Sequence, residues 1–160
     1  MSTIFEAMQQ FLDEDEWPTS PIQDTVLRTT FQGKTGQWTC FAQAREEQEQ
    51  MVFYSVCPMN VPEERRTEVA RYLSYANYGL IIGNFEIDLR DGEVRYKTSI
   101  DVEGGELEQH LIKPIVYTNV LMMDKYLPGL SAVTHGGMTA EGAIAMIEGD
   151  GDDDDEDEDD

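Results

Sequence analysis

Apolar and polar residues alternate with period two through Phe85–Leu89 and again through Val94–Thr98, with Asp91-Gly92 between the two runs. An Asp-Gly pair is a strong hairpin signal, because a type I′ turn needs positive φ at both central positions. Folding about that pair sets Leu89 against Val94, Ile87 against Tyr96 and Phe85 against Thr98 on one face. The other face pairs Arg90 with Glu93, Asp88 with Arg95 and Glu86 with Lys97. Each such pair contributes only about 0.2–1 kcal/mol, but a one-residue slip would carry the charges into the core. Gly83–Val102 is therefore expected as a hairpin with one dry face and one wet face.

Helical periodicity appears at both ends and in the middle. Ser2 can cap a helix with Ile4, Phe5, Met8, Phe11 and Leu12 on one face. Asp13–Pro21 (DEDEWPTSP) ends it as a linker, since its two prolines interrupt a regular ladder, and Trp17 is expected to pack back onto the body. Thr25–Gln32 and Gln37–Ala44 alternate as strands. A turn at Lys34-Thr35 sets Phe31 against Trp38, Thr29 against Cys40 and Leu27 against Ala42. The polar turn Arg45–Gln50 leads to a third strand, Met51–Cys57. Glu63–Tyr78 reads as a helix that follows Pro62, buries Val69, Tyr72, Leu73 and Ala76, and stops at Gly79. After Gly104-Gly105 come a helical turn and a restart at Pro114. A stripe of Ile115, Val116, Asn119, Val120, Met123, Tyr126 and Leu127 then runs past a kink at Pro128 to Val133, and Gly136-Gly137 end it. Thr139–Glu148 is a last short helix.

The expected order is α-β-β-β-α-β-β-α-α. It predicts an α+β fold, a five-stranded antiparallel sheet with helices packed on one face. Residues 1–21 form the N-terminal helix and linker, 22–148 the α+β domain and 149–160 a disordered acidic tail.

Charge narrows the partners. The net charge is −22, and ten of the 33 acids lie in residues 150–160, leaving the body 23 acids against 11 bases, or −12. Body and tail both repel phosphate backbones and anionic lipid, so neither nucleic acid nor a membrane surface is the expected partner. No apolar run reaches the roughly 20 residues of a spanning helix, and acids stand where a leader would be basic and apolar. A cytoplasmic protein is expected.

Candidate chemistry is sparse. Neither His110 nor His135 has a second ligand at helical or strand spacing, and Gly104-Gly105 lacks the lysine of a phosphate loop. No catalytic, cofactor or metal site is expected. Symmetric folding about Gln48-Glu49 would bring Cys40 and Cys57 face to face as a redox pair; the alternative is two small buried thiols. Arg65, Arg66 and Arg71 follow Glu63-Glu64, where intrahelical ion pairing competes with phosphate binding as an explanation. Met122, Met123, Tyr126 and Leu130 are candidates for a partner or dimer surface, against core filling.

The runs Ala70–Leu89 (ARYLSYANYGLIIGNFEIDL), Gly92–Ser99 (GEVRYKTS) and Asp124–Val133 (DKYLPGLSAV) resemble the YbjN-like family, bacterial sensory transduction regulators with a type III secretion chaperone-like fold. The resemblance covers roughly Thr25–Glu148, and the cyanobacterial members look most similar. It rests on Asn77-Tyr78, the Gly83–Asp88 strand, Gly92-Glu93-Val94 and Tyr126-Leu127-Pro128, none of them catalytic. It implies a non-enzymatic, protein-binding regulator or chaperone-like adaptor, acting as a homodimer. The acidic tail lies outside the family pattern. It supports a second reading, an electrostatic module that mimics a polyanion and competes for a basic partner.

Overall fold

Six antiparallel strands, one more than the sequence pattern predicts, form the sheet of the computed structural model, which describes residues 2–158 and side chains from Ser2 to Gly149. The elements are α1 (Ile4–Glu14), β1 (Thr19–Gln23), β2 (Val26–Gln32), β3 (Gln37–Arg45), β4 (Gln50–Val56), α2 (Arg66–Tyr78, after a 3₁₀ turn at Glu63–Arg65), β5 (Asn84–Ile87), β6 (Val94–Asp101), α3 (Gln109–Thr134) and α4 (Ala140–Glu158). The spatial order is β1-β2-β3-β4-β6-β5. The added strand, β1, comes from the segment expected as a linker. Its Pro21 sits opposite Leu27 on the outermost strand, where a missing N–H interrupts no interior ladder. The α4 helix runs past Glu148. The expectation of a disordered tail concerns, from Asp150 on, side chains outside those described.

Strands β2 to β6 each offer one dry face to the helices. Leu27, Trp38, Cys40, Ala42, Met51, Phe53, Phe85 and Tyr96 are buried there, against Met8, Leu12, Val69, Leu73, Ile112, Val116 and Val120. The α1 helix lies against β3, α2 against β5, and α3 against β4 and β6, while α4 packs on α2 and α3. The α1 cap is Thr3 rather than Ser2, its side chain accepting from Glu6 N–H at 3.0 Å. Glu46, on the turn after β3, accepts the next free N–H groups, Ile4 at 2.8 Å and Phe5 at 3.0 Å. A carboxylate at a helix N-terminus is favourable for both hydrogen bonding and the dipole. Trp17 returns to the body as expected and stacks on Phe31 at 5.5 Å.

The β2–β3 register has the expected pairs, Phe31 with Trp38 and Leu27 with Ala42. The β5–β6 register does not: Phe85 faces Tyr96, Glu86 faces Arg95 and Ile87 faces Val94. The cause is loop length. Asp88 N–H bonds Glu93 C=O at 2.9 Å, so four residues, Leu89–Gly92, make the turn, and of these Gly92 alone has positive φ, +80°. The centre moves back one residue and every partner shifts by two, which preserves the faces because the side-chain period is two. Phe85 stays buried and Glu86 stays outward, but the Asp88–Arg95 pair is replaced by Asp88–Arg90 at 2.9 Å, and Leu89 is exposed. The β3–β4 hairpin behaves alike: Arg45 pairs Gln50, and Glu49 closes the loop at φ +57°.

The α3 helix is continuous through Pro114, with no restart, and through Pro128. Its C-terminus is the expected glycine cap, Gly136 at φ +79° bonding Val133 C=O and Gly137 bonding Ala132 C=O. Pro128 has no N–H to give the carbonyl four residues back, which is that of Asp124. Thr35 Oγ1, on the β2–β3 turn, takes that place at 2.7 Å. The Asp124 carboxylate accepts Lys34 N–H at 2.9 Å and Thr35 N–H at 2.8 Å, clamping the turn to the helix. Burial raises the affinity of this carboxyl for a proton. The donors from Lys34 and Thr35 outweigh burial and hold its pKa below the usual value.

Candidate functional site: the uncovered sheet face

All helices that touch the sheet lie on its dry side, so the other side is open. The strand register lines up one cross-strand row there, Ser20–Arg28–Phe41–Tyr54–Lys97–Asn84. Phe41 and Tyr54, at the centre, are half-buried, and among the described residues no helix lies above them. A shallow depression of ≈ 720 Å³ opens over them, bounded by Arg28 on β2 and Arg95 on β6.

Period-two alternation places the charges as well. Arg28, Arg45, Arg95 and Lys97 stand at outward positions against Glu86 and Asp101, with Glu93 at the rim. Four cations against two anions on the strands is a local reversal in a chain of net charge −22. The Arg95 guanidinium carbon lies 4.2 Å from the Tyr54 ring centroid, and its Nε donates to Glu86 at 2.9 Å. Lys97 Nζ donates to the other Glu86 oxygen, also at 2.9 Å. Partial burial pulls the Glu86 pKa up, but the bonds from Lys97 and Arg95 outweigh it and the net shift is downward. Among the described residues, Arg28 makes no salt bridge and its side chain no hydrogen bond.

The residues singled out from sequence lie elsewhere. Met123, Tyr126 and Leu130 are buried within the chain, and Met122 is partly buried against the same core. Periodicity showed how wide the apolar stripe of α3 is. It did not show that α2, itself against β5, and α4 pack on α3 and cover that stripe. The β3–β4 register sets Cys40 opposite Ser55, Sγ to Oγ 3.6 Å, rather than opposite Cys57. Both thiols are free and buried, and burial pushes them up to about 12 and about 11 respectively. Of the three arginines, only Arg71 pairs within its helix, with Glu68 at 2.7 Å. Arg65 donates to Val133 C=O at 2.9 Å, at the α3 C-terminus, and Arg66 to Val61 C=O at 3.0 Å. His110 is exposed beside Glu108 at 3.3 Å, and His135 Nδ1 lies 2.8 Å from Ser131 C=O. Among the described residues no three His, Cys, Asp or Glu side chains converge as metal ligands, and no helix is long and apolar enough to cross a membrane.

Sequence reasoning missed the open face because it fixed which residues point outward without aligning them across four strands. The signal was present in the alternation of Arg28, Thr30, Thr39 and Phe41 once the registers were known.

The fold has a solved counterpart. It resembles the "Crystal structure of YbjN, a putative transcription regulator from E. coli", with a TM-score of 0.63 and 15% identity over 84% of this chain and 96% of that one. At that identity the likeness is one of fold. No curated protein matches the sequence. The family model described as "Putative bacterial sensory transduction regulator" matches residues 5–132. That span takes in the row on β1–β6, the Asp124 clamp and the hairpin about Gly92, and the chain belongs to the YbjN family.

Proposed function

We propose that this chain is a non-enzymatic, protein-binding regulator or chaperone-like adaptor, and that the uncovered sheet face is where it engages its partner. The observation that carries this reading is the pair of half-buried aromatics, Phe41 and Tyr54, framed by outward cations on a face that no helix covers. Aromatic and arginine side chains are the residues that most often anchor protein interfaces. The regulator description of the family supports the same class.

The test is a photo-crosslinking amino acid placed in the full chain at Phe41 and, as control, at exposed Leu121 on α3, then activated in the producing cell. Discrete adducts at Phe41 that are absent at Leu121 are expected. Equal patterns at both positions would contradict the reading.

A homodimer has separate support in the exposed apolar side chains at the end of α2 and the turn after it, Tyr78 (96% exposed) and Ile81 (91%). Light scattering at high micromolar concentration tests it. A dimer in the parent that Ile81→Ser dissociates is expected, and a parent that stays monomeric would rule it out.

A further inference from the structure

We infer that the uncovered sheet face reads an extended acidic peptide in which two carboxylates four residues apart flank a central apolar side chain. This rests on the proposed reading of the face as a partner site and adds what the partner must look like. The row from Arg28 to Lys97 crosses four hydrogen-bonded strands, Arg28–Phe41–Tyr54–Lys97. Neighbouring strands lie about 4.8 Å apart, so the two cationic ends are about 14 Å apart. An extended peptide rises about 3.3 Å per residue with side chains alternating, so positions i, i+2 and i+4 share one side and span about 13 Å. A peptide laid across the strands therefore sets acids at i and i+4 over Arg28 and Lys97, with the i+2 side chain over Phe41 and Tyr54.

The electrostatics favour that occupant. Arg28, which pairs with no carboxylate among the described residues, brings a positive charge at one end. At the other, Arg95 and Lys97 share the single carboxylate of Glu86, leaving one positive charge over in that ion-pair cluster, with Glu93 farther out at the rim beside Arg95. Each end thus matches one carboxylate. A nucleic acid fits less well, since single-strand binders use a continuous basic groove along the backbone and a body of −12 opposes a polyphosphate. The chain's own tail, acids without an apolar residue, lacks the central anchor.

The probe is a fluorescein-labelled pentapeptide with glutamate first and fifth, leucine third and threonine between, titrated by anisotropy into the full chain at low salt. The controls are its diglutamine analogue, a tail peptide of residues 149–160 and a single-stranded oligonucleotide. The diglutamate probe should bind about tenfold tighter than the diglutamine one, as two surface ion pairs allow. That margin should shrink as salt rises and vanish in Arg28→Glu/Lys97→Glu, whose melting temperature checks the fold. Glutamates moved to adjacent positions should bind like the neutral peptide. Equal binding of acidic and neutral probes, tighter binding of the tail peptide or the oligonucleotide, or no binding of the diglutamate probe would overturn the inference. If discrete crosslinks at Phe41 persist alongside any of these, the face remains a partner site and only the peptide class falls.

Discussion

Replacing Asp124 by alanine removes the carboxylate that holds the β2–β3 turn to α3, and the geometry sets the size of the loss. Two backbone donors converge on it, Lys34 N–H at 2.9 Å and Thr35 N–H at 2.8 Å. Hydrogen bonds to a charged group are worth about 1.5–3 kcal/mol each. Lys34 and Thr35 are exposed, so water recovers part of that, and Thr35 Oγ1 keeps the Asp124 carbonyl freed by Pro128. The expected net destabilisation is about 2–4 kcal/mol. Asparagine keeps the shape but turns an amide NH₂ toward one of the donors, so Asp124→Asn should lose about half as much. The pH dependence adds a sign. The folded pKa lies below the ordinary 3.8, so the clamp's contribution is fully present above that value and is lost as pH falls through the folded pKa. Urea denaturation across acid pH, parent against Asp124→Asn, should give a gap that is constant near neutrality and closes below about pH 4. A gap under about 0.5 kcal/mol at neutral pH, or one independent of pH, would refute the reasoning.

Other substitutions probe the rest of the account. Gly92→Ala should cost more than about 3 kcal/mol by urea denaturation, because φ is +80° and a Cβ there would overlap the Val61 carbonyl; a loss under 1 kcal/mol would contradict this. Cys40 and Cys57, pushed up to about 12 and about 11 by burial, should ignore Ellman's reagent at pH 8 in the native chain and react in urea; rapid native labelling would speak against the packing. Truncation after Gly149 should leave the melting temperature unchanged, since ten acids in eleven residues bring no apolar surface to bury, and should flatten the salt dependence of association. A drop of several degrees would mean that the segment docks.

Burial patterns were more legible in the sequence than registers. Val69, Tyr72, Leu73 and Ala76 are the buried residues of α2, as helical spacing alone requires. Leu27–Ala42 and Phe31–Trp38 pair as the turn at Lys34-Thr35 predicts, because Gly33 N–H bonds Gly36 C=O at 2.8 Å and closes the turn about those two residues. A longer loop ending on a positive-φ residue defeated the other two hairpins. In a four-residue loop only the closing residue needs positive φ, so Gly92 marks the end of the turn rather than its second central position, and Glu49 does the same without being glycine. β1 was hidden by Pro18 and Pro21, which read as breakers when the strand's edge position was unknown. The tertiary roles of Arg65, Arg66 and Asp124 had no local signal. Their partners lie 68, 5 and about 90 residues away, and Arg66 bonds a backbone carbonyl that no side-chain pattern reveals. For the candidate site, alternation gave Phe41 and Tyr54 their direction, but the row between Arg28 and Lys97 exists only through three registers at once.

The most direct test of that row is an amide ¹H–¹⁵N chemical-shift titration of the full chain with the diglutamate pentapeptide. Shifts confined to outward positions of β2, β3, β4 and β6 around Arg28, Phe41, Tyr54 and Lys97 are predicted. Shifts concentrated instead around Tyr78–Ile82 or on the outer surface of α4 would place recognition on the helical side and contradict the account.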